Sequence, residues 1–496
     1  MITHRNQAAL NALGLVGILF SRQYSNDPAN DDSPAQLQLV LAKLLRRMLD
    51  MGASMRDARA IFQHAARRSP EAPDSLNMPV VDLLRSGMRA KWPEHFSLEG
   101  SAALVLKETN PKGMSCPSGF SFIAWMSMEK FPVGDETTTT VFGLRIPGPG
   151  GRWLIRLSLR SDGTFEFMTA ATREPTIFRK PGARLHRSRW THVVLTHHAH
   201  RRGASIPTVR LFVDGALVDA VNWAYPRLDS PGAEYVLGDD KGEGGARWCL
   251  ASAYLLAQPL GDDMPRLFHH LGPRYTANFQ APSLIRFLTY EASASLNIHL
   301  ASLRHDQNSS SQPSALTKAV THGVGFKEDA IIFALNPAGW RDDAGPNKTV
   351  ENGVAKPAGP HSAEVRGDVV CANPQCLDVS LWQVGGPAVT LRLVELAEVR
   401  RILATLCVAD QYLDSPRPLH YSLHPLRWPT HKLAKLGGHG THEYGYSSRA
   451  RKACAHMTAG GYEILAAILR QKAQMISMSS YRILMEFVGV DFGHPT

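Results

Sequence analysis

The stretch "RLFVDGALVDAVNW", Arg210 to Trp223, sets an Asp-Gly pair between two short runs of alternating apolar residues. A two-residue type I′ turn needs positive φ at both central positions, and Asp-Gly is among the pairs that accept this. Leu211 and Val213 then share one face of the first strand, with Arg210 and Phe212 on the other. The segment just upstream, "RWTHVVLTHH" (189–198), has the same alternation. Its Trp190, with Val193 and Leu195, anchors a strand in a core, because an aromatic ring supplies large buried area.

Outward from this hairpin the texture persists. Candidate strands are 119–128, 137–146, 152–161, 164–170, 189–197, 208–215, 216–223, 233–239 and 247–257, separated by Gly, Pro, Asp and Asn. Many short strands at near-regular spacing predict an all-β sandwich or barrel over residues 92–260. Residues 1–91 read as helices: "AQLQLVLAKLLRRML" repeats leucine at three- and four-residue spacing, and Ser54 with Asp57 forms a capping pattern before "ARAIFQHAARR". Helical periodicity returns across 261–496, in "PSLIRFLTYEASASLNIHLASLR", "PAVTLRLVELAEVRRILATLCVA" and "GGYEILAAILRQKAQMISMSSYRILMEFVGV". A mobile loop is expected near 341–370, where Gly, Pro and polar residues dominate. No capping helix follows Val490, and a helical array needs a polar end cap, so the array is expected to continue in a longer chain.

The order W-x-H-V-V-L-T followed by V-R-L-F-V-D-G-x-L-V resembles the concanavalin A-like jelly roll of laminin G modules, pentraxins and legume lectins. A narrower resemblance joins "GFSFIAWMSME", the Trp190 strand, the Asp214-Gly215 hairpin, "YVLGDD", "RWCLASAYLLAQPL" and the flanking helices, "LWQVGGPAVTLRLVE" among them. Together these resemble the region upstream of the BEACH domain in the beige and neurobeachin family. That resemblance implies an α+β multidomain chain, with a concanavalin A-like β-sandwich flanked by armadillo-like helical segments. It implies a non-enzymatic scaffold for protein partners in vesicle trafficking or autophagy, cytoplasmic or peripheral on endomembranes. The family's PH-like, BEACH and WD40 parts are absent from these 496 residues. The alternative reading is a carbohydrate-binding lectin-like or glucanase-like protein, since this fold hosts both.

Composition narrows the chemistry. The formal charge of +10 is spread along the chain without a run of like charges long enough for a nucleic-acid arm, so no nucleic-acid partner is expected. Association with anionic membranes through the basic surface is the weaker expectation. Six cysteines, Cys116, Cys249, Cys371, Cys376, Cys407 and Cys454, are too few for a disulfide framework and read as reduced thiols. The apolar run "ALNALGLVGILF" is too short to cross a bilayer.

No catalytic, cofactor-binding or metal residue is assigned from the sequence. A retaining glucanase would need two carboxylates about 5–5.5 Å apart, and no E-x-D-x-x-E string places them on one strand face. The acidic cluster "GDDKGEGG", with Asp239, Asp240 and Glu243, reads as a solvent-exposed turn, and Lys241 offsets its charge for calcium. His192, His197, His198 and His200 lack a local carboxylate or cysteine and read as edge or loop histidines. The Gly385-Gly386 and Gly460-Gly461 pairs read as tight turns between helices. Trp125, Trp153, Trp190, Trp223 and Trp248 read as core, and sugar binding is therefore not the leading expectation.

Overall fold

The computed structural model describes residues 4–24, 35–65, 78–89, 92–110, 113–134, 137–148, 151–172, 174–199, 206–240, 245–275, 330–341, 348–351 and 362–384. Two compact units divide the chain.

The first unit is β-structure. Its strands are β1 (His95–Lys107), β2 (Gly119–Lys130), β3 (Thr138–Ile146), β4 (Arg152–Arg160), β5 (Phe165–Thr169), β6 (Thr176–Ile177), β7 (Trp190–His198), β8 (Thr208–Val213), β9 (Ala216–Asn222), β10 (Glu234–Gly238) and β11 (Arg247–Leu256). Further along come β12 (Ile331–Leu335), β13 (Trp340–Arg341), β14 (Thr349–Glu351) and β15 (Ser362–Ala372). All pairings among them are antiparallel, in the order β6-β5-β4-β3-β10-β1-β11-β2-β7-β8-β9.

β1 belongs to both layers of the sandwich. Its first half, Phe96 to Glu99, pairs with Leu250 to Arg247 of β11. The register then shifts between Glu99 and Ala103, where Gly100 has φ +62°. Its second half, Ala103 to Lys107, pairs with Gly238 to Glu234 of β10. One layer therefore runs β11-β2-β7-β8-β9 and the other β10-β3-β4-β5-β6, joined at the bent β1. β15 lines the remaining edge of β1 across the same irregularity.

The layers face each other across one core. Phe122 of β2 stacks on Phe142 of β3 with centroids 4.3 Å apart and planes 6° from parallel. Phe96, Phe120, Phe165, Phe167, Tyr235 and Phe333 are fully buried in the same cluster. Each such side chain contributes about 1.5–3 kcal/mol through burial, which makes this the dominant stabilisation of the unit.

The Asp-Gly hairpin forms as expected. Asp214 has φ +50° and Gly215 φ +78°, the pair of left-handed residues that a type I′ turn requires. The Asp214 side chain also fastens the turn to β7: its Oδ1 accepts from the His192 N–H at 3.0 Å, and its Oδ2 from Arg189 Nη2 at 2.6 Å. Helix α6 (Asp263–Leu271) packs over this turn, so that a Cβ on Gly215 would lie 2.9 Å from Arg266 Cα. α6 covers part of the outer face of β2 and β7, at Trp125 and His192. Trp125, pointing away from the core, stacks on His269 of α6 at 5.6 Å.

The N-terminal region carries α1 (His4–Ala12), α2 (Leu15–Tyr24), α3 (Ala35–Leu49), α4 (Met55–Ala65) and α5 (Met78–Arg89). In the second unit, Val16, Phe20, Leu45, Leu49, Ile61, Phe62, Val81 and Leu84 form a core with Leu377 and Leu381 of α7 (Leu377–Val384). The Asp57 N–H donates to Ser54 Oγ at 3.1 Å, the cap read from the sequence.

One expectation for the C-terminal half changes. The stretch taken as a loop near 341–370 contributes strands, with β15 pairing along the length of β1. "SAEVRGDVVCA" buries few of its positions, so it lacks the apolar alternation of an autonomous strand and is held by its neighbour. The long helical stretches expected at 282–304 and 460–490 lie outside the described residues, and an armadillo-like array is not seen among the described helices.

Replacing Gly215 with alanine forces a Cβ into left-handed backbone and against the Cα of Arg266. The expected loss is about 1–3 kcal/mol of stability, read as a lower urea midpoint with an unchanged slope; a midpoint equal to wild type would contradict this packing of α6.

Candidate functional site

Alternation decides which side chains leave the core on the second layer. Leu144 of β3 and Tyr235 and Leu237 of β10 face inward. Gly143 and Arg145, with Glu234 and Val236, therefore face outward. Arg145 lies in register with both Glu234 and Trp153, and Gly143 with Val236.

The Trp153 indole lies across Gly143. A Cβ there would sit 2.4 Å from Cζ3 of the ring, so only glycine leaves room for it. The ring packs on a small apolar patch of Ala103, Val105 and Val236. The guanidinium carbons of Arg145 and Arg156 stand 5.6 and 5.5 Å from its centroid. Arg156 is oriented by hydrogen bonds from Nε to Thr140 Oγ1 and from Nη2 to Thr138 Oγ1, both 3.0 Å.

Beside the ring is a network of alternating charge. Arg145 donates from Nη1 to Asp240 Oδ1 at 2.8 Å and from Nη2 to Glu234 Oε2 at 3.2 Å. Arg366 of β15 approaches the same acids, 3.5 Å from Asp240 Oδ2 and 3.7 Å from Glu234 Oε1, and donates to Glu364 at 3.0 Å. Partial burial would raise the Asp240 carboxyl, but the Arg145 hydrogen bond and the charges of Arg145 and Arg366 more than offset it and hold the group below the usual range. Trp153, Arg156, Asp240 and Arg366 all remain partly exposed.

This arrangement joins an indole surface to several fixed hydrogen-bonding groups on one sheet face. An aromatic face can take the C–H face of a sugar ring, and the polar groups its hydroxyls. Asp240 is not suited to general-acid work, which requires a carboxyl that stays protonated. It is equally unsuited to calcium, because both its oxygens are held by a guanidinium.

Other residues noted in the sequence are dispersed. The Asp239 N–H donates to the Ala102 carbonyl at 3.0 Å, while Lys241 and Glu243 lie outside the described residues. His192 points outward from β7, fully buried beneath α6 beside Trp125 and His269. His197 points into the core, where its Nε2 lies 3.0 Å from the Trp223 carbonyl. His198 is partly buried, and His200 lies outside the described residues, as do both glycine pairs. Among the tryptophans, Trp248 is core and Trp125 is covered by α6, whereas Trp153, Trp190 and Trp223 keep some exposure. Cys116, Cys249, Cys371 and Cys376 are free thiols, and burial pushes Cys116 and Cys371 up to about 12. Gly143, Arg145 and Arg156 are site residues that pattern reading passed over. Their signal is the glycine two positions before an arginine in "FGLRI", which leaves a bare outward position for a large neighbour.

Residues 100–250 match the family model of the concanavalin A-like lectin/glucanases superfamily. No curated protein matches the chain. Among solved structures, it is similar to a mutant of Trypanosoma rangeli sialidase displaying trans-sialidase activity, at 21% identity over 32% of this chain and 24% of that chain, with a TM-score of 0.25. A SAP-like pentraxin from Limulus polyphemus aligns at 14% identity over 37% of this chain and 85% of that one, with a TM-score of 0.29. A putative carbohydrate binding protein from Bacteroides ovatus aligns at 11% identity over 57% and 60%, with a TM-score of 0.32. The chain spans about a quarter of the length of the sialidases it matches.

These findings correct the expectation of a BEACH-family scaffold in vesicle trafficking and autophagy. The family model that matches residues 100–250 is that of concanavalin A-like lectins and glucanases. The hairpin and tryptophan strands that carried the narrower resemblance belong to the sandwich itself, while the helical segments that should have distinguished it lie largely outside the described residues. The superfamily holds both enzymes and non-enzymes. No helix among the described residues is long and apolar enough to cross a membrane.

The buried histidines make stability acid-sensitive. Burial pushes His197 from 6.5 down to about 4, opposed by the Trp223 carbonyl, and His95 likewise to about 4, opposed by the Pro93 carbonyl. Between these values the unfolded chain binds protons that the folded one refuses. Stability is therefore full above about 6.5 and falls as pH drops from about 6.5 to about 4, by at most on the order of 3 kcal/mol per histidine. His197→Gln should flatten that decline in urea melts taken across the window; an unchanged slope would show that the ring titrates freely in the fold.

Proposed function

We propose that the sandwich is a carbohydrate-binding, lectin-like module that takes sugar on the outer face of its second layer. The observation that carries this reading is the Trp153 indole seated on Gly143, partly open to solvent and bordered by Arg145, Arg156, Glu234, Asp240 and Arg366. The match of residues 100–250 to the lectin/glucanase superfamily supports the same class of ligand. A shallow sheet face of this kind suits a segment of a polysaccharide lying across it. Hydrolysis is the less favoured function of this face, because Asp240 is held ionised by two arginines.

A glycan array with the full chain, followed by calorimetry on its best oligosaccharide, tests the proposal. Saturable binding is expected, with Trp153→Ala weakening it at least about tenfold, the scale of removing one stacked aromatic contact. Trp223→Phe, away from this face, should bind as wild type. Absence of sugar binding, or binding indifferent to Trp153, would overturn the proposal.

A further inference from the structure

The outer face of the first layer carries a second cluster that the carbohydrate reading does not use. On β2 and β11, Cys249 lies opposite Ser127, so Glu129, two residues on, emerges on the same outward face as the cysteine. On the other side Cys249 lies opposite Ser97 of β1. Both neighbours are small hydroxyl residues, so nothing bulky crowds the thiol from the adjoining strands. The first turn of α1 brings His4 over this spot. His4 Nδ1 is 2.9 Å from Glu129 Oε1, and Cys249 Sγ is 3.8 Å from the same oxygen. The three donor atoms all lie within 4.8 Å of one another. His4 and Cys249 are buried, and only 9% of the Glu129 side chain is exposed.

We propose that His4 Nδ1, Glu129 Oε1 and Cys249 Sγ form a binding site for a divalent transition metal of the zinc type, with water completing a tetrahedron. The donor set decides the class of ion. A thiolate and an imidazole select zinc-like metals, whereas calcium and magnesium prefer oxygen alone. The geometry is close to what such an ion needs. Bonds of about 2.0–2.3 Å at tetrahedral angles set donor atoms about 3.4–3.6 Å apart, a spacing reached here by shifts of side-chain ends on the order of 1 Å. Donors from β2, β11 and α1 cannot converge through local sequence, which is why no spacing motif announces them.

Binding is a simple exchange. The Cys249 S–H bond breaks and an Sγ–metal bond forms; the Nδ1–H that His4 directs at Glu129 is exchanged for an Nδ1–metal bond, the imidazole keeping its neutral form by carrying hydrogen on Nε2; the protons released go to solvent, with no change of oxidation state. The bound ion would add to the charge of Arg247 in compensating the largely buried Glu129 carboxylate. It would also fix the first turn of α1 on β2 and β11.

Cobalt(II) titration of the reduced full chain, previously treated with chelator, tests this. Stoichiometric uptake is expected, with a thiolate-to-cobalt charge-transfer band and displacement by zinc. Cys249→Ser should abolish the band, while Cys371→Ser should leave it unchanged. His4→Gln replaces a residue of the first turn of α1 and none of the sheet, and should weaken binding about tenfold or more, on the scale of disturbing a metal's coordination. It keeps the test decisive if Cys249→Ser fails to fold. Failure to bind cobalt stoichiometrically, or a band that survives either Cys249→Ser or His4→Gln at wild-type affinity, would overturn the assignment.

Discussion

The contact of Phe122 with Phe142 across the two layers sets the terms for the rest of the sandwich. Side chains alternate along a strand, so committing one row of each layer to the core commits the next row to the outside. A slip of one residue in either strand would exchange them. On β3 the inward row includes Phe142 and Leu144, which leaves Gly143 and Arg145 outside to build the Trp153 platform. On β2 the inward row includes Phe122, Met126 and Met128, which leaves Trp125 and Glu129 outside, beneath α6 and His4. Both candidate sites are thus consequences of how the core is filled.

The two outer faces serve different ends. The outer face of the first layer carries several buried polar groups, among them His4 beside Glu129 and His95 against the Pro93 carbonyl, while the half-buried Asp214 side chain accepts from the His192 N–H. Groups of this kind stabilise only when their partners are in place. The outer face of the second layer is partly open, and its arginines and acids are arranged around an indole. Covered polar clusters favour fixed structure or a tightly held ion, while open ones remain available to a ligand from solution.

Much of the sandwich was legible in the sequence because its signals are local. Asp214-Gly215 demanded a turn that only left-handed backbone could make, and the strands beside it alternated clearly. The Ser54 cap was legible for the same reason. What stayed hidden depends on partners distant in the chain. β15 becomes a strand by pairing with β1, more than 250 residues away, and its own pattern is too polar to announce it. Trp153 looked like core because its neighbours are apolar, yet Gly143 on the facing strand is what turns it into a surface. Asp240 looked like a free loop acid, and Arg145 and Arg366 show otherwise. The family-level misreading has a related origin: the order of sandwich motifs is common to many proteins of this fold, and fold alone does not assign a role.

On the proposed reading, Trp153, with its arginine and carboxylate border, is where this sandwich meets its ligand. Hydroxyl-radical footprinting of the full chain, with and without a saturating oligosaccharide, reads that contact residue by residue. Labelling of Trp153 should fall sharply on binding while Trp190 and Trp223 keep theirs. Protection confined to those other tryptophans, with Trp153 labelled as before, would contradict the account.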